Sequence, residues 1–239
     1  MKNKSKNEDR LEIDRVVFVG RAFHEYVEFF NLDIDSLKGK TVLDCPSGPS
    51  SFVAEANEIG IKAVGCDPMY DLTLEDLGRI CERDIKHVME ELSEKKHLFK
   101  WNYYASVEDV KNSRTRSLNM FKKDFISGLY EKRYIKAALP SLPFPDNSFD
   151  LVLCAHFLFL YDDRFDYAFH LNSMLELCRV CSKEVRIYPL ESMNANLYQA
   201  MDRLIFDLGE MGWYPEITKV DFEFLAGSNS MLRIASAKG

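Results

Sequence analysis

Residues 41–70 read TVLDCPSGPSSFVAEANEIGIKAVGCDPMY. A short apolar run closes on Asp44, a bend of small residues follows, then a helix-length segment, then a second apolar run closing on Asp67. Strand, tight turn, helix and strand in that order make a βαβ unit with its two strands parallel. The two carboxylates stand 23 residues apart and bracket a loop of Cys, Pro, Ser and Gly. Open α/β sheets bind ligands outside the carboxyl ends of their strands, where an acidic side chain can accept both hydroxyls of a ribose. The stretch therefore points to an α/β protein with a nucleoside site at the edge of its sheet.

Outward from this unit the pattern breaks and then resumes. The first strand is expected over residues 40–43, a helix over 51–59 stopped by Gly60, and the second strand over 62–66. The next strand-like run, 133–139, begins 66 residues after Asp67, where about 20 to 30 would suffice for an ordinary crossover. Leu74, Leu77, Ile80, Cys81, Val88 and Leu92 keep helical spacing, and so do Leu118, Phe121, Phe125 and Leu129. Residues 71–132 thus read as a two- or three-helix insertion that caps the site as a lid. After it come a turn (142–148, LPFPDNS), an apolar strand covered on both faces (149–155), a helix (167–180), a strand (184–188) and a helix (197–211). Residues 219–225 and 231–237 flank AGSNS, a link short enough to pair them antiparallel. At the other end, residues 1–9 read as a frayed tail and 16–30 as a short helical lead-in. The whole, 1–239, reads as one domain.

Composition sets bounds on function. A hydrophobic content of 46% is enough for a sizeable core, and a net charge of -7 with scattered Lys and Arg disfavours nucleic acid as a partner. The six cysteines, several inside apolar runs, suit buried reduced thiols in a cytoplasmic protein. No apolar core of a signal peptide opens the chain and no run is long enough to span a membrane. The sequence says nothing about oligomeric state.

A parallel sheet closed by an antiparallel hairpin argues against dehydrogenases. With VLDCPSGPSSF (42–52), AVGCDPMY (63–70), LPFPDNSFDLVLCAHFL (142–158) and ELCRV (176–180), it resembles the class I S-adenosylmethionine-dependent methyltransferases, in particular the small-molecule, type 11-like branch. The resemblance implies a Rossmann-like α/β sheet of order 3-2-1-4-5-7-6 and S-adenosyl-L-methionine as cofactor, with S-adenosyl-L-homocysteine as product. It implies a small-molecule methyl acceptor. Asp67 would then hold the ribose, and Asp44 would order that end of the site. Amides of the turn 45–51 would face the cofactor's carboxylate. Cys45, Pro46, Ser47, Gly48 and Ser50 of the loop, with Pro68, Met69, Leu139 and Ala155, would lie against the cofactor. His156 would be the catalytic candidate, as base or hydrogen-bond partner, and Arg21 would face a carboxylate from the lead-in, near Gly20 and Tyr26.

Each residue also has a plainer role. Strand-end aspartates cap helices, a histidine in CAHFLFLY packs, and Arg21 could sit on a surface helix. Tyr161 and His170 are weaker candidates. Cys178 and Cys181 form a CxxC without a second pair at metal spacing, so packing is expected and no metal. Trp101, Tyr103 and Tyr104 read as an aromatic cluster within the insertion, and the basic fragment 113–124 as a solvated helix face. The sequence departs from the family in having Pro46 and Ser50 where glycines are usual, and Ala138 where an acidic residue meets the adenine. These departures motivate an alternative, an inactive cofactor-binding or regulatory module. The basic fragment motivates another, an RNA or protein methyltransferase.

Overall fold

The computed structural model describes residues 10–236; the expected tail 1–9 and Ala237 lie outside them. Seven strands, β1 (Thr41–Asp44), β2 (Lys62–Cys66), β3 (Tyr134–Ile135), β4 (Phe149–Ala155), β5 (Cys181–Tyr188), β6 (Trp213–Lys219) and β7 (Ser230–Ser236), form one sheet. Its order is β3-β2-β1-β4-β5-β7-β6. The first five run parallel, and β7 is antiparallel to both β5 and β6. This is the topology expected of the class I methyltransferase fold.

The alternation of β4 shows how the layers are filled. Leu151, Leu153 and Ala155 join the core beneath α1 (Phe23–Phe30), α3 (Phe52–Glu58), α4 (Leu74–Glu94) and α5 (Val107–Tyr130). Val152 and Cys154 join the core beneath α6 (Tyr167–Val180) and α7 (Met201–Glu210). Burial on both faces explains why the strand reads as an unbroken apolar run. A four-residue helix, α2 (Ile34–Leu37), links α1 to β1.

Residues 71–132 contain α4, a single 3₁₀ turn (Lys96–Leu98) and α5. Thr73 and Ser106 start the two long helices by accepting the amides of Asp76 and Asp109, each at 3.1 Å, caps worth about 1 kcal/mol apiece. Trp101, Tyr103 and Tyr104 pack as rings among themselves and with Phe99, Phe222 and Phe224.

Several boundaries differ from the sequence reading; β5, expected from 184, begins at Cys181. Only residues 23–30 of the lead-in are helical, because the preceding segment is pinned in irregular form: the Phe18 amide donates to Asp84 of α4 (2.9 Å). Pairing in β3 covers two residues, since the chain bends to return the Ala137 amide to the Asp67 carbonyl. Helix α7 begins four residues late, after a turn in which Leu190 and Met193 are buried. The closing hairpin is the largest correction. Its first strand is 213–219, and 219–225 is not a strand; the connection to β7 spans 220–229. Phe222 and Phe224 alternate with polar residues as a strand would, yet they turn inward onto Phe29, Tyr103 and Phe99.

Candidate active site

The parallel strands leave a cavity of about 370 Å³ at their carboxyl edge, within the usual range for small-ligand sites. The β1–α3 loop supplies Cys45, Pro46, Ser47 and Gly48; the end of β2 supplies Asp67, Pro68 and Met69. Leu139 and Ala138 follow β3, and Ala155 and His156 end β4. The lead-in closes it with Val17, Val19 and Arg21. Asp44 and Ser50 do not line the cavity.

Asp44 instead lies beneath the loop, fully buried. It accepts from the Tyr26 hydroxyl (3.0 and 3.1 Å) and from Ser50 (3.1 Å), so it ties α1 to the loop. Burial pushes its pKa up to about 7 against the pull of these donors. Gly65 lets the loop pack on β2, since a Cβ there would stand 2.8 Å from the Ser47 hydroxyl.

Asp67 accepts the Gly48 amide (3.1 Å) at one oxygen and the Met69 amide (2.9 Å) at the other. Each oxygen keeps a lone pair free. Burial raises this carboxylate to about 6, with the two amides opposing.

The loop amides are not free to take an anion. Cys45 N–H donates to Leu153, Ser47 to Cys66, Gly48 to Asp67, Ser50 to Ser47 and Ser51 to Arg21; Pro46 and Pro49 have none. In this structure none of the N–H groups of 45–51 is left free for the carboxylate that the sequence reading expected there. The two prolines and the packing of the loop against its neighbours consume every donor.

Arg21 is the cation on this cavity wall. Among the described residues it and Asp67 are the only charged side chains lining the cavity. Its Nη1 donates to the Val19 carbonyl (3.1 Å) and its Nε is buried without a partner. No carboxylate of the described residues pairs with it. Burial, then the nearby positive charge of Arg114, lowers its pKa to about 10. Arg114 itself is neutralised by Glu25 at 2.6 and 2.7 Å, with Tyr104 hydrogen-bonded to the same carboxylate. A cavity wall thus carries one guanidinium with no counter-ion, which is costly unless a ligand supplies one.

His156 stands in left-handed backbone (φ 52°), a conformation that histidine visits more readily than most residues and that clusters at functional sites. Its Nδ1 is buried without a partner, and its ring packs on Phe29 at 4.8 Å. Burial, then the charges of Arg21 and Arg114, hold the imidazole neutral well below its ordinary range. Tyr161 also lines the cavity; its hydroxyl accepts the Val17 amide (3.2 Å). His170 does not line it. Its ring nitrogens meet the carbonyls of Leu158 and Asp166 (2.9 and 2.8 Å), a packing role.

The lead-in is held down by contacts that the sequence reading missed. Ser117 of α5 donates to the carbonyls of Arg21 and Pro49. Gly20 abuts the Pro49 carbonyl so closely that a Cβ would stand 2.0 Å from it. Asp84 was legible in principle, as a carboxylate set among the buried positions Leu77, Cys81 and Ile85 of α4. All six cysteines are buried and unpaired; Cys178 lies in the last turn of α6 and Cys181 begins β5. Among the described residues no helix is long and apolar enough to cross a membrane.

Comparisons with known proteins find the following similarities. The methyltransferase domain family matches residues 101–185. Uncharacterized protein MJ0045 of Methanocaldococcus jannaschii is 35% identical over 225 residues, covering 94% of this chain and 98% of that protein. Among solved structures, a SAM-dependent methyltransferase from Aquifex aeolicus is 16% identical and superposes with a TM-score of 0.41, covering 88% of this chain and 92% of its own. Magnesium protoporphyrin IX methyltransferase from Synechocystis PCC 6803, with bound SAH, is 12% identical with a TM-score of 0.45, covering 85% and 77%. A putative RNA methyltransferase from Pyrococcus horikoshii is 11% identical with a TM-score of 0.44, covering 89% and 84%.

Proposed function

We propose that this chain, which belongs to the class I S-adenosylmethionine-dependent methyltransferases and to one family with MJ0045, moves a methyl group onto a small molecule by in-line displacement. The cofactor is S-adenosyl-L-methionine and the product S-adenosyl-L-homocysteine. The observation that carries the reading is the pair Asp67 and Arg21, the two charged groups of one cavity. Asp67 has free lone pairs for a ribose diol, and the unpartnered Arg21 guanidinium suits a carboxylate.

In this reading Pro68, Met69, Ala138 and Leu139 give the adenine an apolar slot. Among the described residues no acidic side chain besides Asp67 lines the cavity, so the adenine is held there by packing. Bound at this site, S-adenosyl-L-methionine supplies a methyl group already activated on a sulfonium. The protein's share is then alignment and exclusion of water. The lead-in and the insertion act as the cover, fixed by Asp84 and Ser117. His156 accepts a hydrogen bond from the acceptor at Nδ1. An anion on Arg21 cancels part of the charge that keeps this imidazole neutral, so it becomes a better base when the cavity is filled. Six buried thiols without a disulfide favour a cytoplasmic setting.

The RNA reading is weakened at one residue of the basic fragment, since Arg114 is buried against Glu25, while Arg116 and Lys123 stay exposed. The test is incubation with methyl-labelled S-adenosyl-L-methionine and a cell extract separated into small-molecule, RNA and protein fractions. Label is expected in the first. Label confined to either macromolecule would overturn the acceptor class, and tight cofactor binding without any transfer would favour the inactive module.

A further inference from the structure

Behind the first cavity lies a second chamber of about 100 Å³, of the same order as apolar cavities known to hold a benzene ring. The two share one wall, made of Val17, Val19, Arg21, His156, Leu160 and Tyr161. The partition therefore contains two of the buried polar atoms left without partners among the described residues, Nε of Arg21 and Nδ1 of His156. It also contains the Tyr161 hydroxyl, whose own proton has no acceptor among the described residues.

Most of the chamber comes from segments outside the βαβ units. Val88 and Leu92 come from α4, Val110 and Arg114 from α5, and Phe222 and Phe224 from the β6–β7 connection. This gives the inward turn of that connection a purpose. Among the described residues the lining has no acidic side chain; its charged members are Arg21 and Arg114, the latter already paired with Glu25. A cation entering would lose its hydration and find no counter-ion, whereas a neutral ring would lose only water-facing apolar surface. A nucleic acid or a folded protein could not reach Nδ1 of His156 through such a space.

We infer that this chamber is the acceptor compartment, that it takes a compact ring-sized apolar molecule bearing a neutral O–H or similar weakly acidic group, and that it rejects ammonium-bearing acceptors. The inference rests on the methyltransferase reading and narrows its substrate class. The acceptor's hydroxyl would meet Nδ1 of His156 in the shared wall, with the Tyr161 hydroxyl as the second polar contact.

The test uses the full chain saturated with S-adenosyl-L-homocysteine and two fluorinated ring probes of similar size, 4-fluorophenol and 4-fluorobenzylamine, followed by fluorine NMR. The phenol is expected to bind and the benzylammonium to bind at least about tenfold more weakly. Val110→Phe fills the chamber from α5 and Leu225→Trp fills it from the opposite wall, so that one misfolded variant does not decide the matter. Each folded variant should weaken the phenol at least about tenfold while leaving S-adenosyl-L-homocysteine affinity within about twofold. Equal binding of the two probes, phenol binding unchanged in the filled variants, or no phenol binding by a protein that binds S-adenosyl-L-homocysteine would overturn the inference. Failure to bind S-adenosyl-L-homocysteine at all would instead remove the cofactor reading, and this inference with it.

Discussion

Arg21→Met is expected to make the ligand-free protein more stable and the cofactor site useless. The guanidinium falls from 12.5 to about 10 on burial, which corresponds to ~3 kcal/mol against the charged form at ~1.4 kcal/mol per pH unit. Methionine is unbranched and apolar, and fills the same space without that penalty. It forfeits the bond to the Val19 carbonyl, worth about 1 kcal/mol. The net gain of about 2 kcal/mol should raise Tm by roughly 4–8 °C in a chain of this size. Titration calorimetry supplies the other half. Loss of a buried charge partner costs about 2–5 kcal/mol, so S-adenosyl-L-homocysteine affinity should fall about 30-fold or more. 5′-Methylthioadenosine, which has the nucleoside but no carboxylate, should bind wild type and variant alike. A destabilised variant with unchanged S-adenosyl-L-homocysteine affinity would refute the reasoning and make Arg21 a packing residue.

Three further perturbations follow from the same geometry. Asp67→Asn should leave the circular dichroism spectrum native and weaken S-adenosyl-L-homocysteine about 10- to 100-fold in calorimetry. Because Asp67 titrates near about 6, wild-type affinity should drop about tenfold between about pH 7 and pH 5 if the ionised form binds; a flat profile would count against Asp67. Asp44 has a folded pKa raised to about 7 from 3.8. Its stabilising contribution is therefore complete below about pH 4 and lost as pH rises through about 7. The stability difference between Asp44→Asn and wild type in denaturant titrations should grow across that window by up to ~4 kcal/mol in favour of the variant, and a pH-independent difference would contradict the assignment. Glu25→Ala should cost about 3–5 kcal/mol by leaving Arg114 buried and unpaired; an unfolding midpoint within error of wild type would show that water replaces the carboxylate.

Much of the fold was legible because its signals are local. The two carboxylate-terminated apolar runs, the helical spacing of Leu77, Cys81 and Ile85, and the unbroken run of β4 each follow from one element packing on one neighbour. The closing hairpin was misread because DFEFL alternates like a strand, although its phenylalanines answer to the chamber rather than to a sheet. Gly212, with φ 86°, marked the turn from α7 directly into β6, but a glycine after a helix equally suits a loop. The site was legible by position and not by bonding. Strand ends told where Asp67, Gly48 and Ala155 would gather. The spending of the amides of Cys45, Ser47 and Ser51 depends on carbonyls of Leu153, Cys66 and Arg21, far apart in sequence, and so could not be read from the loop itself. Arg21 was noticed as a cation in a lead-in; its isolation from any counter-ion is a tertiary property. The second chamber draws on segments scattered between Leu11 and Ser228 and leaves no periodic trace.

The most direct measurement is a crystal structure of the protein with S-adenosyl-L-homocysteine. It should show both ribose hydroxyls on the Asp67 carboxylate, the amino-acid carboxylate against the Arg21 guanidinium, and the sulfur directed at the wall that holds His156. A ligand lying elsewhere, or one whose carboxylate avoids Arg21 while its ribose avoids Asp67, would contradict the account.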